Sequence, residues 1–212
     1  RLGRMNNRTH RKVLVVDGRI GFTGGVGIAP EWSGHAQDPA HWRDSHFRAE
    51  GPVVAQMQAV FGDNWVKATG EVLDGADYFP AVAAAGDGAG QMFASSPSGG
   101  SESMELMYLL MITAAERSIE LSSSYFVPDE LSRDTLVAAL HRGVRVRIIT
   151  PGPHIASETV RRPSRALWGE LPEARADLYE CLPTMFHCNV LIDAALVCPG
   201  GATNFHPPSL PP

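Results

Sequence analysis

His10 and Lys12 stand two residues apart at the start of a short apolar run, with Asp17 five residues past Lys12 and the pair Gly24-Gly25 beyond it. In an extended strand, residues two apart face the same way, so the imidazole and the ammonium project together. That pairing suits phosphate. An imidazole attacks phosphorus or moves a proton near neutral pH, and an ammonium at the next same-face position neutralises the non-bridging oxygens. Asp17 has the opposite parity but sits at a turn, where strand alternation ends, which leaves a role in orienting a histidine open. The two glycines let backbone approach a ligand closely and offer N–H donors. Taken alone, His10 and Lys12 also fit a polar strand edge, so the surrounding sequence has to decide between the two readings.

The elements that must position these residues follow from pattern. Residues 13–16 are a β-branched run, Asp17-Gly18 is a hairpin signal, and residues 20–23 return toward the glycine pair. Residues 45–50 alternate as a strand, and Pro52 opens an apolar-periodic helix to about Trp65. Glycine- and serine-rich text at residues 86–101 reads as a connector, so the chain divides into residues 1–85 and 86–212. Beyond it the pattern predicts a strand at 91–94, a helix at 102–117 and a strand at 119–123. A helix at 131–142, stopped by Gly143, leads to a strand at 144–150. A helix at 160–171 and strands at 176–180 and 186–192 complete the series. Strands alternating with helices of this length predict an α/β fold with mixed, largely parallel sheets covered on both faces.

One internal repeat links the two halves. His10-Arg-Lys-Val-Leu-Val and His187-Cys-Asn-Val-Leu-Ile share an opening, and each reaches a small pair at the same offset, Gly24-Gly25 and Gly201-Ala202. Two copies of one strand-hairpin unit point to a duplicated architecture.

Composition bounds the partners. At 44% hydrophobic and 19% charged residues the chain builds a globular core, and its net charge of −5 offers no general attraction to nucleic acid or to an acidic membrane. The local pattern differs, because Arg1, Arg4, Arg8, Arg11, Lys12 and Arg19 surround the first motif against the single acid Asp17. Cys181, Cys188 and Cys198 lack zinc or disulfide spacing and read as free, mostly buried thiols. No stretch reaches the roughly 20 apolar residues of a spanning helix. His35, His41, His46 and His141 show no metal-ligand spacing. Trp32, Trp42, Trp65 and Trp168 read as packing anchors, and Arg161, Arg162 and Arg165 as a solvated helix face.

The spacing His10-x-Lys12-x4-Asp17-x6-Gly24-Gly25 resembles the HKD motif of the phospholipase D superfamily. The stretch from Trp42-Arg43-Asp44-Ser45-His46 to Gly51-Pro52-Val53-Val54 resembles the cardiolipin synthase branch, as do Tyr125-Phe126-Val127-Pro128, Gly143-Val144-Arg145-Val146, Pro151-Gly152-Pro153 and Pro183-Thr184-Met185-Phe186-His187. The resemblance implies a phospholipase D-like fold of two α/β sandwich units around one active site, the first unit incomplete at its N-terminus and the second truncated at its C-terminus. It also implies a phosphohistidine intermediate, with His10 as nucleophile and His187 as general acid, Lys12 on the phosphoryl oxygens and Asp17 orienting. Gly24, Gly25, Asn189 and Asn204 would line the substrate. The implied substrate is a phosphatidylglycerol-like phospholipid at a membrane surface, in bacteria the cytoplasmic membrane, with no metal or other cofactor.

The second motif departs from the family pattern. Asn189 stands where Lys12 stands in the first motif, and Ala194 stands where Asp17 does, with Asp193 displaced by one. An amide donates a hydrogen bond but does not neutralise charge, and a lost charge-assisted phosphate contact is about 1.5 to 3 kcal/mol. An enzyme weakened at its second motif is therefore set against a non-catalytic lipid-binding homologue. An HKD nuclease is disfavoured because the cardiolipin-synthase-like stretches fit it poorly and only local basic charge supports polyanion binding.

Overall fold

Residues 13–24 form a hairpin for the reason the sequence suggests. In the computed structural model, which describes residues 11–94, 101–154, 165, 168–193 and 197–198, β1 (Val13–Val16) and β2 (Ile20–Gly24) pair antiparallel about a tight turn. Asp17 (φ 54°) and Gly18 (φ 63°) both take left-handed backbone, which Asp and Gly tolerate best. Arg19 N–H closes the turn on Val16 O at 3.0 Å. β3 (His46–Glu50) adds antiparallel to β2, with Gly24 opposite His46. α1 (Val53–Thr69) follows and ends on Gly70 in the left-handed conformation, whose N–H returns to Val66 O at 2.9 Å. It covers one face of this sheet. Met57 lies so close to Gly21 that a Cβ there would overlap its sulfur, while Leu14 and Val16 on the other face are exposed.

The second sheet has the order β6-β5-β4-β7-β8. Its strands are β4 (Ser118–Ser122), β5 (Arg145–Pro151), β6 (Asp177–Cys181), β7 (Val190–Asp193) and β8 (Val197–Cys198). α2 (Ser101–Ala114) and α3 (Glu130–His141) pack on one face. Their apolar sides meet Ile119, Leu121, Val146, Ile148 and Leu191 in the main core. Asp129 caps α3 by accepting Ser132 N–H at 2.9 Å, and Gly143 in left-handed backbone lies just past its end. Arg142 donates to the carbonyls of Ile112 and Thr113 at 3.1 Å, satisfying the C-terminus of α2. The opposite face of the sheet carries Arg147 on Glu120 at 2.5 Å and the exposed Tyr179 and Ile192, so among the described residues the helices cover one face only.

The fold is α/β with mixed sheets, but among the described strands parallel pairing is confined to β6-β5-β4. Parallel neighbours need a crossover, as α3 supplies between β4 and β5, whereas β1, β2 and β3 are joined without an α-helix and pair antiparallel. Residues 91–94 form no strand. Met92 N–H is taken by Gln56 Oε1 on α1 at 2.9 Å, which diverts that backbone from a ladder. Most of the helix expected at 160–171 lies outside the described residues, and residues 168–171 are turn. Between Thr69 and Ser101 the described residues hold neither helix nor strand.

Candidate active site

The segment before β3 and the segment before β7 run side by side. Arg43 and Phe186 form a single parallel bridge, with Arg43 N–H on Met185 O at 2.9 Å and His187 N–H on Arg43 O at 2.8 Å. Thr184 Oγ1 donates to His41 O at 2.5 Å. Cys188 fills the seam, accepting from Ser45 Oγ at 3.7 Å and donating to Arg43 O at 3.8 Å. Burial pushes its thiol up to about 11, so it packs rather than reacts.

This seam brings Asp44 onto His187. Asp44 Oδ2 lies 2.8 Å from His187 Nδ1, and Oδ1 accepts the N–H of Ser45 at 2.7 Å. The carboxylate is 2% exposed and the imidazole 17%. An ionised carboxylate accepts only, so Nδ1 carries the proton of the pair and Nε2 is the nitrogen left to work on a substrate. The tips of β2 and β3 leave room for the acid because Gly25 has no side chain. A Cβ there would overlap Asp44 Oδ2, and one on Gly24 would strike Ser45 O. Gly25 N–H donates to Ser45 O at 3.1 Å. The expected glycine contact is thus made to Asp44 and its neighbour, inside the protein, and Gly25 N–H is already committed there.

Trp32 leans its ring edge on His187, with centroids 5.7 Å apart at 77°, and packs likewise on Trp42 at 5.2 Å. Gly27 makes way for it, since a Cβ would stand 2.7 Å from Trp32 Nε1. Trp32 sits in a single 3-10 turn, Pro30–Trp32, held by Trp42 N–H on Glu31 O at 2.6 Å.

Lys12 lies immediately before β1. Arg11 reaches back to Val60 O on α1 at 3.4 Å. Burial lowers the Lys12 pKa below its ordinary value, opposed by the charge of Asp44. A cation, a buried acid and an imidazole therefore share one electrostatic neighbourhood, which suits a phosphoryl group next to a proton-carrying histidine.

The remaining residues of the expected site are not all brought here. Asp17 is exposed on the turn at the far end of β1, about 16 Å along the strand from Lys12. It does not orient His187, and Asp44 has that contact. Asn189 is buried, and its Oδ1 accepts both the N–H (3.0 Å) and the hydroxyl (3.2 Å) of Ser124. Asp193 is buried as the last residue of β7, opposite Ile119, so the strand continues through it. His10, Ala194, Gly201, Ala202 and Asn204 lie outside the described residues. Among the described residues no group of three or more His, Cys, Asp or Glu is arranged to hold a metal ion. Asp44 was available to sequence reasoning inside Trp42-Arg43-Asp44, whereas Trp32 carried no signal beyond its size.

Residues 108–211 match the family model described as "Cardiolipin synthase, PLD-like domain". A cardiolipin synthase of Geobacillus kaustophilus is 36% identical over 190 residues, which is 89% of this chain and 38% of that one. Cardiolipin synthase 2 of Bacillus cereus is 34% identical over 202 residues, 94% of this chain and 39% of that one. The chain thus spans well under half the length of the curated relatives it matches. Among solved structures, a phospholipase D family member, Nuc, from Salmonella typhimurium aligns at 25% identity with a TM-score of 0.39, covering 48% of this chain and 64% of that one.

Proposed function

The chain belongs to the phospholipase D superfamily, on its cardiolipin synthase branch, and from that premise we propose that it forms the catalytic part of a phospholipid phosphatidyltransferase or phosphodiesterase. The observation that carries this reading is the buried Asp44–His187 pair, whose acid also acts on the charge of Lys12.

In the proposed cycle His10 attacks the phosphorus of a phosphatidylglycerol-like diester. The P–O bond to the leaving alcohol breaks, and His187 Nε2–H gives that oxygen its proton, leaving a phosphohistidine on His10. A second lipid hydroxyl, or water, then gives its proton to His187 and attacks the same phosphorus, freeing His10. Asp44 stabilises the His187 imidazolium before the first step and after the second, and holds the neutral ring by its Nδ1–H between them, while Lys12 offsets the charge on the non-bridging oxygens. No metal or other cofactor takes part. Gly25 serves by admitting Asp44, Gly24 by admitting Ser45 and His46, and Asp17 by holding the hairpin, and the role proposed for Asn204 is substrate binding. Residues 1–85 and 86–212 belong to two halves that each supply one histidine.

The proposed location is a bacterial cytoplasmic membrane surface, with phospholipid and not nucleic acid as partner. No described helix is long and apolar enough to cross a membrane. A non-catalytic lipid-binding role is the second reading, favoured by Asn189 standing where the first motif has its lysine.

Phosphatidylglycerol vesicles incubated with the chain, followed by thin-layer separation of cardiolipin and phosphatidic acid, test the proposal. Product is expected from the wild type in the presence of EDTA, and none from His10→Ala or His187→Ala. Equal product from His10→Ala would sink the mechanism. Vesicle binding without product would leave the second reading standing.

A further inference from the structure

We propose that Asn189 is a positioning residue whose side-chain carbonyl clamps the buried β4–α3 loop to the chain just before β7, two residues from His187. The first motif uses the matching position for a cation, Lys12, and the second uses it for a hydrogen-bond acceptor. The loop from Ser123 to Asp129 has no regular structure, yet Ser123, Ser124, Phe126 and Val127 are 1%, 0%, 2% and 6% exposed. Backbone buried outside helix and sheet must find acceptors for its N–H groups. Ser123 N–H uses Ile149 O at 3.1 Å, and Asp129 is tied down as the cap of α3. Between these anchors the Ser124 N–H has Asn189 Oδ1 at 3.0 Å, and the same oxygen receives the Ser124 hydroxyl at 3.2 Å.

A backbone N–H only donates, so the side-chain oxygen of Asn189 is fixed toward Ser124. Lysine has three donors and no acceptor. Asn189→Lys therefore does not restore a phosphate ligand in this chain. It orphans a buried N–H and places an ammonium in a position that is 5% exposed. Aspartate is the substitution that keeps the acceptor.

The test compares Asn189→Asp, Asn189→Leu and Asn189→Lys with the wild type by hydrogen exchange at the Ser124 amide and by titration with inorganic phosphate, read from the His187 ring resonances. The clamp predicts that Ser124 protection falls at least about tenfold in the leucine and lysine variants, the scale of one buried hydrogen bond, and is retained in the aspartate variant. It also predicts that the leucine variant, having kept Lys12, binds phosphate within about threefold of wild type. Loss of phosphate binding in the leucine variant with Ser124 protection unchanged would overturn the clamp and make Asn189 a ligand. If the leucine and lysine variants do not fold, the aspartate variant decides, because a clamp keeps its Ser124 amide protected and a ligand role does not require that. The exchange measurement stands apart from turnover, so failure of the lipid chemistry and failure of the clamp give different results.

Discussion

Two histidine–carboxylate pairs, whose acids stand six residues apart, differ in almost everything except length. His41 Nδ1 meets Asp38 at 2.7 Å and His187 Nδ1 meets Asp44 at 2.8 Å. The first pair is a local turn contact, three residues apart, with side chains 30% and 47% exposed. The second joins residues 143 apart, and its acid is 2% exposed. Distance alone does not separate a surface contact from chemistry. Exclusion of water does, because a screened carboxylate barely steers its histidine while a buried one holds the ring in a single tautomer. Burial also makes the second pair vulnerable, since Asp44 has no solvent to fall back on.

Asp44→Ala should break that contrast most severely. Turnover of a soluble phosphodiester should fall by about 10³- to 10⁴-fold, the scale for losing a carboxylate that orients a catalytic histidine. The His187 Nδ1 and Nε2 nitrogen shifts should show mixed tautomers, and a turnover change of less than tenfold would mean that the pair is only structural. Gly25→Ala comes next. Its Cβ overlaps Asp44 Oδ2, so the acid must move, and a displacement of that size typically costs about 10²-fold in rate. Normal kinetics in a folded Gly25→Ala protein would show that the glycine is not what makes room for the acid.

A smaller effect is expected with pH. Burial depresses the Lys12 pKa, so the ammonium loses its proton below the ordinary 10.5, and phosphate affinity should fall on the alkaline side before that value is reached. Lys12→Arg should keep its charge through the range and abolish the fall. In the same window the unfolded chain binds the proton more tightly than the native one, so native stability gained from this residue rises with pH until both forms are neutral. An alkaline limb identical in both proteins would remove Lys12 from the phosphate site. The smallest change belongs to Asp38→Ala, which should leave turnover within about twofold, as surface substitutions usually do. The N–H of His41 holds the Asp38 carboxyl below its ordinary 3.8, so any stability it adds is present above that value and lost as pH falls through the lowered one. A melting-temperature difference between Asp38→Ala and wild type should therefore shrink in acid.

Local features were readable in the sequence because their causes are local. The β1–β2 turn rests on Asp17-Gly18, the start of α1 on Pro52 and the end of α3 on Arg142-Gly143, and each needs only adjacent residues. Strand direction was less legible, since parallel or antiparallel pairing depends on what lies between the strands. The expected strand at 91–94 failed because Gln56, on another element, takes Met92 N–H. Asp17 looked like the motif's orienting acid because spacing along the chain says nothing about which end of a strand faces the site. The acid that meets His187 enters from a segment 143 positions away, with a glycine from a third segment making room. Asn189 read as a lost lysine, and only its depth beside Ser124 shows what the amide holds.

The seam between residues 41–45 and 184–188 also orders events in time. Closing so long a loop adds little to the equilibrium cost, which grows only as the logarithm of its length, but contacts of large sequence separation form slowly. During synthesis Asp44 leaves the ribosome long before His187 exists, and its carboxylate stays hydrated until the 184–188 segment arrives to desolvate it. The first sheet can mature early and remain chemically silent. The Asp44–His187 pair then assembles only when this long-range contact closes, which makes its formation a late event relative to the first sheet.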